Sequence, residues 1–132
     1  MKTTSTTTGT AATTKRRGDA AEDAALAHLQ DAGLVPLARN YRTPGRGGGE
    51  IDLIMRDPRG SSGGTLVFVE VRQRSTGAHG GAGGSITGPK QRRIVFAAQH
   101  YLSRLRTVPP CRFDVVLVEE KITWLQAAFD AS

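Results

Sequence analysis

One cysteine, Cys111, is present in 132 residues. A single thiol excludes an intramolecular disulfide and any cysteine-based zinc site. Long apolar runs are also missing, and none approaches the ~20 residues that a membrane-spanning helix requires. The N-terminus lacks the apolar core of a secretory signal, so the cytoplasm is the expected compartment, with a free thiol to match. Acidic residues are scarce, 12 against 18 Lys and Arg, giving a formal net charge of +6. That balance suits a polyanionic partner such as nucleic acid, although basic charge also serves solubility. No internal repeat is visible.

The length suits one domain with a real core. Residues 1–14 are Thr-, Ala- and Ser-rich and carry too little apolar surface to offset ordering entropy, so a disordered tail is expected there. Residues 15–132 then form a single domain. Gly18 to Ala32 reads as a helix with Gly33 as its stop and Ala21, Ala25, Leu26, Leu29 and Ala32 as its apolar stripe. Glu22 stands at the edge of that stripe. Its spacing from Asp19 is that of a capping box, which is the plain structural reading. Leu34 to Arg42 reads as a strand, and Pro36 argues for an edge position. Thr43 to Gly49 is a glycine-rich loop, and Arg39, Arg42 and Arg46 make this region basic.

Gly49-Glu50-Ile51-Asp52-Leu53-Ile54 and Leu66-Val67-Phe68-Val69-Glu70-Val71-Arg72 alternate and are rich in β-formers. The turn formers between them make a β-hairpin. Alternation puts Glu50, Asp52 and Ile54 on one face, with Phe68, Glu70 and Arg72 on one face of the second strand. A hairpin symmetric about Ser61 sets Asp52 across from Glu70, and Glu50 across from Arg72. Opposed Cβ atoms lie about 5 Å apart and like charges there repel, so the two carboxylates need a cation between them. A hard divalent ion is one candidate and Arg72 is another. An ordinary mixed-charge sheet face is the plain alternative.

Gln73 to Thr87 reads as a long glycine-rich loop. Thr87 suits an N-cap and Pro89 a first helical turn, and the second helix then runs to about Leu105. Ile94, Ala97, Ala98, Tyr101, Leu102 and Leu105 form its stripe. Lys90, Arg92, Arg93, Arg104 and Arg106 crowd its ends, and His100 reads as a surface residue. Arg112 to Val118 alternates as a strand. Ile122 to Phe129 reads equally as a strand or a helical turn. The order αβββαβ predicts helices packed on a small mixed sheet.

Gly18-x-x-Ala21-Glu22, Arg39-Asn40-Tyr41-Arg42, Gly49-Glu50-Ile51-Asp52-Leu53-Ile54, Phe68-Val69-Glu70-Val71-Arg72 and Arg112-Phe113-Asp114-Val115 resemble the YraN-like family of bacterial proteins. The resemblance spans roughly Lys15 to Glu120. That family is similar to the PD-(D/E)xK nucleases, whose relatives include Holliday-junction resolvases. The resemblance implies a restriction-endonuclease-like α/β fold, with a mixed central sheet flanked by two main helices. It also implies a metal-dependent endonuclease acting on nucleic acid, DNA ahead of RNA and with branched DNA in view.

Under that resemblance Asp52 is the motif's first acid, Glu70 its second, and Val71 the residue whose carbonyl helps hold Mg²⁺ or Mn²⁺. Glu22 matches the acid on the first helix. The motif's final lysine is replaced by Arg72, which stays charged and cannot act as a base. Lys90 is the candidate to supply an ammonium from elsewhere. Arg39, Arg42, Arg92 and Arg93 are expected to hold the nucleic-acid backbone. Relatives that resolve symmetric junctions act as dimers, so a homodimer is also in view. A binding module on the same fold without efficient cleavage is the alternative, and a protein-interaction scaffold is the third reading.

Overall fold

Val67, Phe68 and Val69 are buried without exception, and the molecule is layered about the strand that carries them. The computed structural model describes residues 10–45, 47–60, 63–73 and 86–131. In chain order the elements are α1 (Thr10–Asp31), β1 (Val35–Arg42), β2 (Glu50–Asp57), β3 (Thr65–Gln73), α2 (Gly88–Leu102), β4 (Cys111–Val118) and β5 (Ile122–Phe129). The strands form one sheet in the order β1-β2-β3-β4-β5. Its first three strands are antiparallel, β3 and β4 are parallel with α2 as the crossover between them, and β5 returns antiparallel. This is an α/β fold in the expected αβββαβ order, and the ambiguous segment at Ile122 is its fifth strand.

Period-two patterning sorts the core into two layers. Ala25 and Leu29 of α1 pack on Leu53, Met55, Val67, Val69 and Val116. Ile94, Ala97 and Ala98 of α2 pack on Ile54, Phe68, Phe113, Val115 and Leu117 across the sheet. Residues of β3 and β4 therefore alternate between helices as their sequence implies. Full burial of a residue such as Leu29 stabilises the fold by about 1.5–3 kcal/mol. Gly33 stops α1 at φ +103°, a conformation a side chain would strain. β1 lies at the sheet edge, and its register shifts between Pro36 and Ala38, where proline cannot donate.

Several expectations are corrected. α1 begins at Thr10, so it includes Thr10 to Thr14 of the expected tail; residues 1–9 lie outside the described residues. Asp19 is thus interior to the helix, where backbone N–H groups already have partners, and the capping-box reading of Asp19 and Glu22 fails. α2 starts as expected, with Thr87 as N-cap accepting from the Lys90 N–H at 3.3 Å. It ends at Leu102 rather than near Leu105, because the Ser103 N–H closes the last turn on Gln99 O at 2.9 Å. His100 is half-buried rather than a surface residue, and its Nδ1 bonds the Tyr41 hydroxyl on β1. Most of the expected glycine loop, residues 74–85, lies outside the described residues.

The Arg112-Phe113-Asp114-Val115 motif has a structural task. Asp114 is fully buried and accepts from Arg112 Nε at 3.0 Å, Trp124 Nε1 at 2.9 Å and Ala127 N at 2.9 Å. These bonds pin a β4–β5 register shift at which Ala127 takes φ +51°. Arg112 also reaches Asp57 at 3.0 Å, and Arg59 holds the same carboxylate at 2.8 Å.

Candidate active site

The β2–β3 ladder runs from Asp57↔Thr65 to Leu53↔Val69, which is the register symmetric about Ser61. There the strands part. β2 continues against β1, through Tyr41↔Ile51 and Arg42↔Glu50, while β3 continues against β4, through Glu70↔Val115. A notch opens in the sheet, and Asp52 and Glu70 are the first residues beyond the last paired positions.

Local backbone geometry aims Asp52 into this notch. Strict alternation would put Ile51 on the α1 side with Leu53, yet Ile51 packs with Ile54 on the α2 side. β1 does the same, since Ala38 and Tyr41 both pack on that layer, and Asn40 between them has φ +54°. Asn is among the few residues that tolerate this conformation. Asp52 thus leaves the alternation that would have grouped it with Glu50 and Ile54. Its Oδ2 accepts from the Val71 N–H of β3 at 2.8 Å.

Glu70 is 8% exposed, and among neighbouring charges it acts most strongly on the Asp52 carboxyl. Two neighbouring carboxylates are favourable only with a proton or a cation to offset their repulsion. Burial, and then the Glu70 charge, push the Asp52 carboxyl up to about 7, against the pull of the Val71 N–H and Lys90. Lys90, in the first turn of α2, brings Nζ to 3.3 Å from Glu70 Oε2. Glu22 approaches from α1. Burial raises its pKa, and the Asp52 charge raises it further, while Arg39 and Asn40 hydrogen bonds lower it. Structural positions of all four groups therefore converge on the notch from α1, β2, β3 and α2.

The predicted cations divide. Arg39 is held by α1: its Nε lies 3.3 Å from Glu22 and its Nη1 2.8 Å from Asp23. Arg42 faces Glu50 at 3.8 Å, so Glu50 pairs with β1 rather than with Arg72 as expected. The reason is the notch, since β2 has turned to β1 before it could meet the end of β3. Arg72 and Val71 line a cavity with Glu70, Thr87, Lys90 and Arg93. Arg92 lines a different hollow beside Phe96 and Gln99 and is not brought to the acids. Asn40 and Thr87 carry no charge, and only their unusual backbone and cap positions mark them as parts of the site.

Among the described residues no group of three or more His, Cys, Asp or Glu is arranged to hold a metal. The two hard carboxylates at the notch nevertheless fit a Mg²⁺-type ion, which is commonly held through one or two carboxylates and completes its shell with water and phosphate.

A mixed sheet between two helices, open at a pair of neighbouring acids beside a lysine, defines the class: an α/β domain in the order αβββαβ. The chain belongs to the uncharacterised protein family UPF0102, whose family model matches residues 21–118, and this is the YraN-like family of the resemblance. A UPF0102 protein of Verminephrobacter eiseniae is 68% identical over 121 residues, covering 90% of this chain and 81% of its own. One from Albidiferax ferrireducens is 68% identical over 120 residues, covering 90% and 91%. One from Polaromonas naphthalenivorans is 64% identical over 130 residues, covering 91% and 82%.

Proposed function

We propose that this chain binds nucleic acid and hydrolyses its phosphodiester bonds with a divalent cation held by Asp52 and Glu70. The carrying observation is that Asp52, tied to Val71 of β3, and Glu70, paired with Lys90, are the first residues past the point where β2 and β3 part. Mg²⁺ or Mn²⁺ would replace the proton that the pair otherwise needs. When bound, the ion would lower the pKa of water and offset charge on the phosphate.

The chain's own residues supply the rest. The Val71 N–H fixes one Asp52 oxygen, so the other remains for a ligand. Lys90 balances Glu70 and presents ammonium donors where a phosphate oxygen would gather charge. Arg72 adds a fixed positive charge that cannot serve as a base. Glu22, oriented by Arg39, contributes an outer carboxylate toward Asp52.

Cleavage of labelled linear and four-way-junction DNA, with Mg²⁺ and Mn²⁺ in turn, tests this reading. Wild-type chain is expected to make product, and Asp52→Asn to lower the rate by about 100-fold or more. Equal rates from the two proteins would mean contamination and end the claim. The second reading, a binder without efficient cleavage, is favoured by Arg72 standing where the motif has lysine. It predicts binding that weakens steeply with salt and no product with either metal.

A further inference from the structure

Two cavities adjoin at the first turns of α2, and they share Lys90 and Arg93. One holds the Glu70–Arg72 edge of the notch. The other, about 330 Å³, is bounded by Arg42, Glu50, Lys90, Arg93 and the Thr43–Gly49 loop base.

The loop base is docked on α2. A Cβ added at Gly49 would lie 2.0 Å from the Arg93 carbonyl oxygen, which only glycine permits. Thr43 closes the loop from both sides: its Oγ1 accepts from Gly49 N at 2.8 Å, and its N–H donates to Gly49 O at 3.0 Å. Arg42 and Arg93 are therefore carried on two elements that cannot separate without breaking this contact. Among the described residues, three cations line this cavity with one acid, Glu50. Lys90 and Arg42 each have an acid nearby, at 3.3 and 3.8 Å. Arg93 makes no ion pair among the described residues. A guanidinium left unpaired between two adjoining cavities matches a ligand with two successive negative charges.

We infer that the second cavity is a subsite for the backbone phosphate next to the one at the acids, with Arg93 bridging the two. This rests on the reading that the notch takes a phosphodiester. The ligand is thus a nucleic-acid strand engaged through consecutive phosphates, not an isolated phosphodiester.

The test measures how well short thymidine oligonucleotides compete for the full-length chain at low salt in EDTA, so that no cleavage occurs. Adding the second linkage, from d(T)2 to d(T)3, is expected to tighten binding by about 10-fold or more. A methylphosphonate at one linkage of d(T)3 should return its affinity to that of d(T)2. Arg93→Gln and Arg42→Gln should each flatten the step to about the twofold expected of an added register, and Glu50→Gln should steepen it. Arg104→Gln, on the exposed turn after α2, should leave the step unchanged. Equal gains per linkage that all the arginine variants reduce alike would overturn the subsite in favour of a diffuse field. Failure of every oligonucleotide to compete would overturn it too. A normal step in a chain that never makes product would sink the cleavage proposal and leave the subsite standing.

Discussion

Asp52 is the residue on which the proposed chemistry turns. Its folded-state pKa is raised to about 7 from 3.8, chiefly by burial and then by the Glu70 charge. A raised value means the folded chain holds the proton more tightly than the unfolded one. The resulting stability is complete below 3.8 and is lost as pH rises through about 7. Asn at this position keeps the Val71 bond, since its carbonyl oxygen can accept from Val71 N, and its uncharged amide removes the repulsion with Glu70. Metal-free Asp52→Asn is therefore expected to melt above wild type at pH 8, with the gap closing toward pH 4. Thermal melts across that range check it; a variant less stable than wild type at pH 8 would contradict the repulsion between the two acids. The neighbourhood of Asp52 and Glu70 was legible from hairpin symmetry, whose register the strands keep as far as Leu53↔Val69. The backbone turn at Asn40 that releases Asp52 from its strand face was not, because tolerance of φ +54° is a property of Asn rather than a signal that it is used.

Elements with strong alternation were read most faithfully. β3 and β4 place Val67 and Val69 under α1 and Phe68, Phe113 and Val115 under α2, as period two requires. The Thr87 cap and Pro89 marked the start of α2 for local reasons that no tertiary contact had to override. The start of α1 was illegible because its threonine-rich first turns carry none of the apolar periodicity that announces a helix. Lys90 could be raised only as a candidate ammonium, and its pairing with Glu70 not at all, since the pair joins a helix to a strand through the fold rather than through local spacing. At this scale Gly49 is the sharpest test. Gly49→Ala forces a methyl group into the Arg93 carbonyl, so it should cost about 3 kcal/mol, or roughly 10 °C of melting temperature. Differential scanning calorimetry decides it, and a wild-type melting temperature would show that the loop is not docked on α2 as described.

On the scale of the whole molecule, the sheet and the two helices deliver charge selectively. α1 spends Glu22 and Asp23 on holding Arg39, so that arginine ties β1 to α1. α2 instead brings Lys90 and Arg93 to the notch, and the sheet brings Asp52 and Glu70. Net charge of +6 suggested a polyanionic partner from composition, but only the folded arrangement separates cations that neutralise acids, such as Arg39 and Lys90, from those such as Arg93 that make no ion pair among the described residues. A site divided among four elements has its meaning in their meeting point, the gap where β2 turns toward β1 and β3 toward β4.

Everything functional then depends on whether one ion can sit in that gap. Crystals of the full chain at pH 8, soaked in Mn²⁺ and measured at the manganese edge, address it directly. The account predicts one anomalous peak about 2.2 Å from an oxygen of Asp52 and an oxygen of Glu70. No peak there at saturating Mn²⁺ would contradict it.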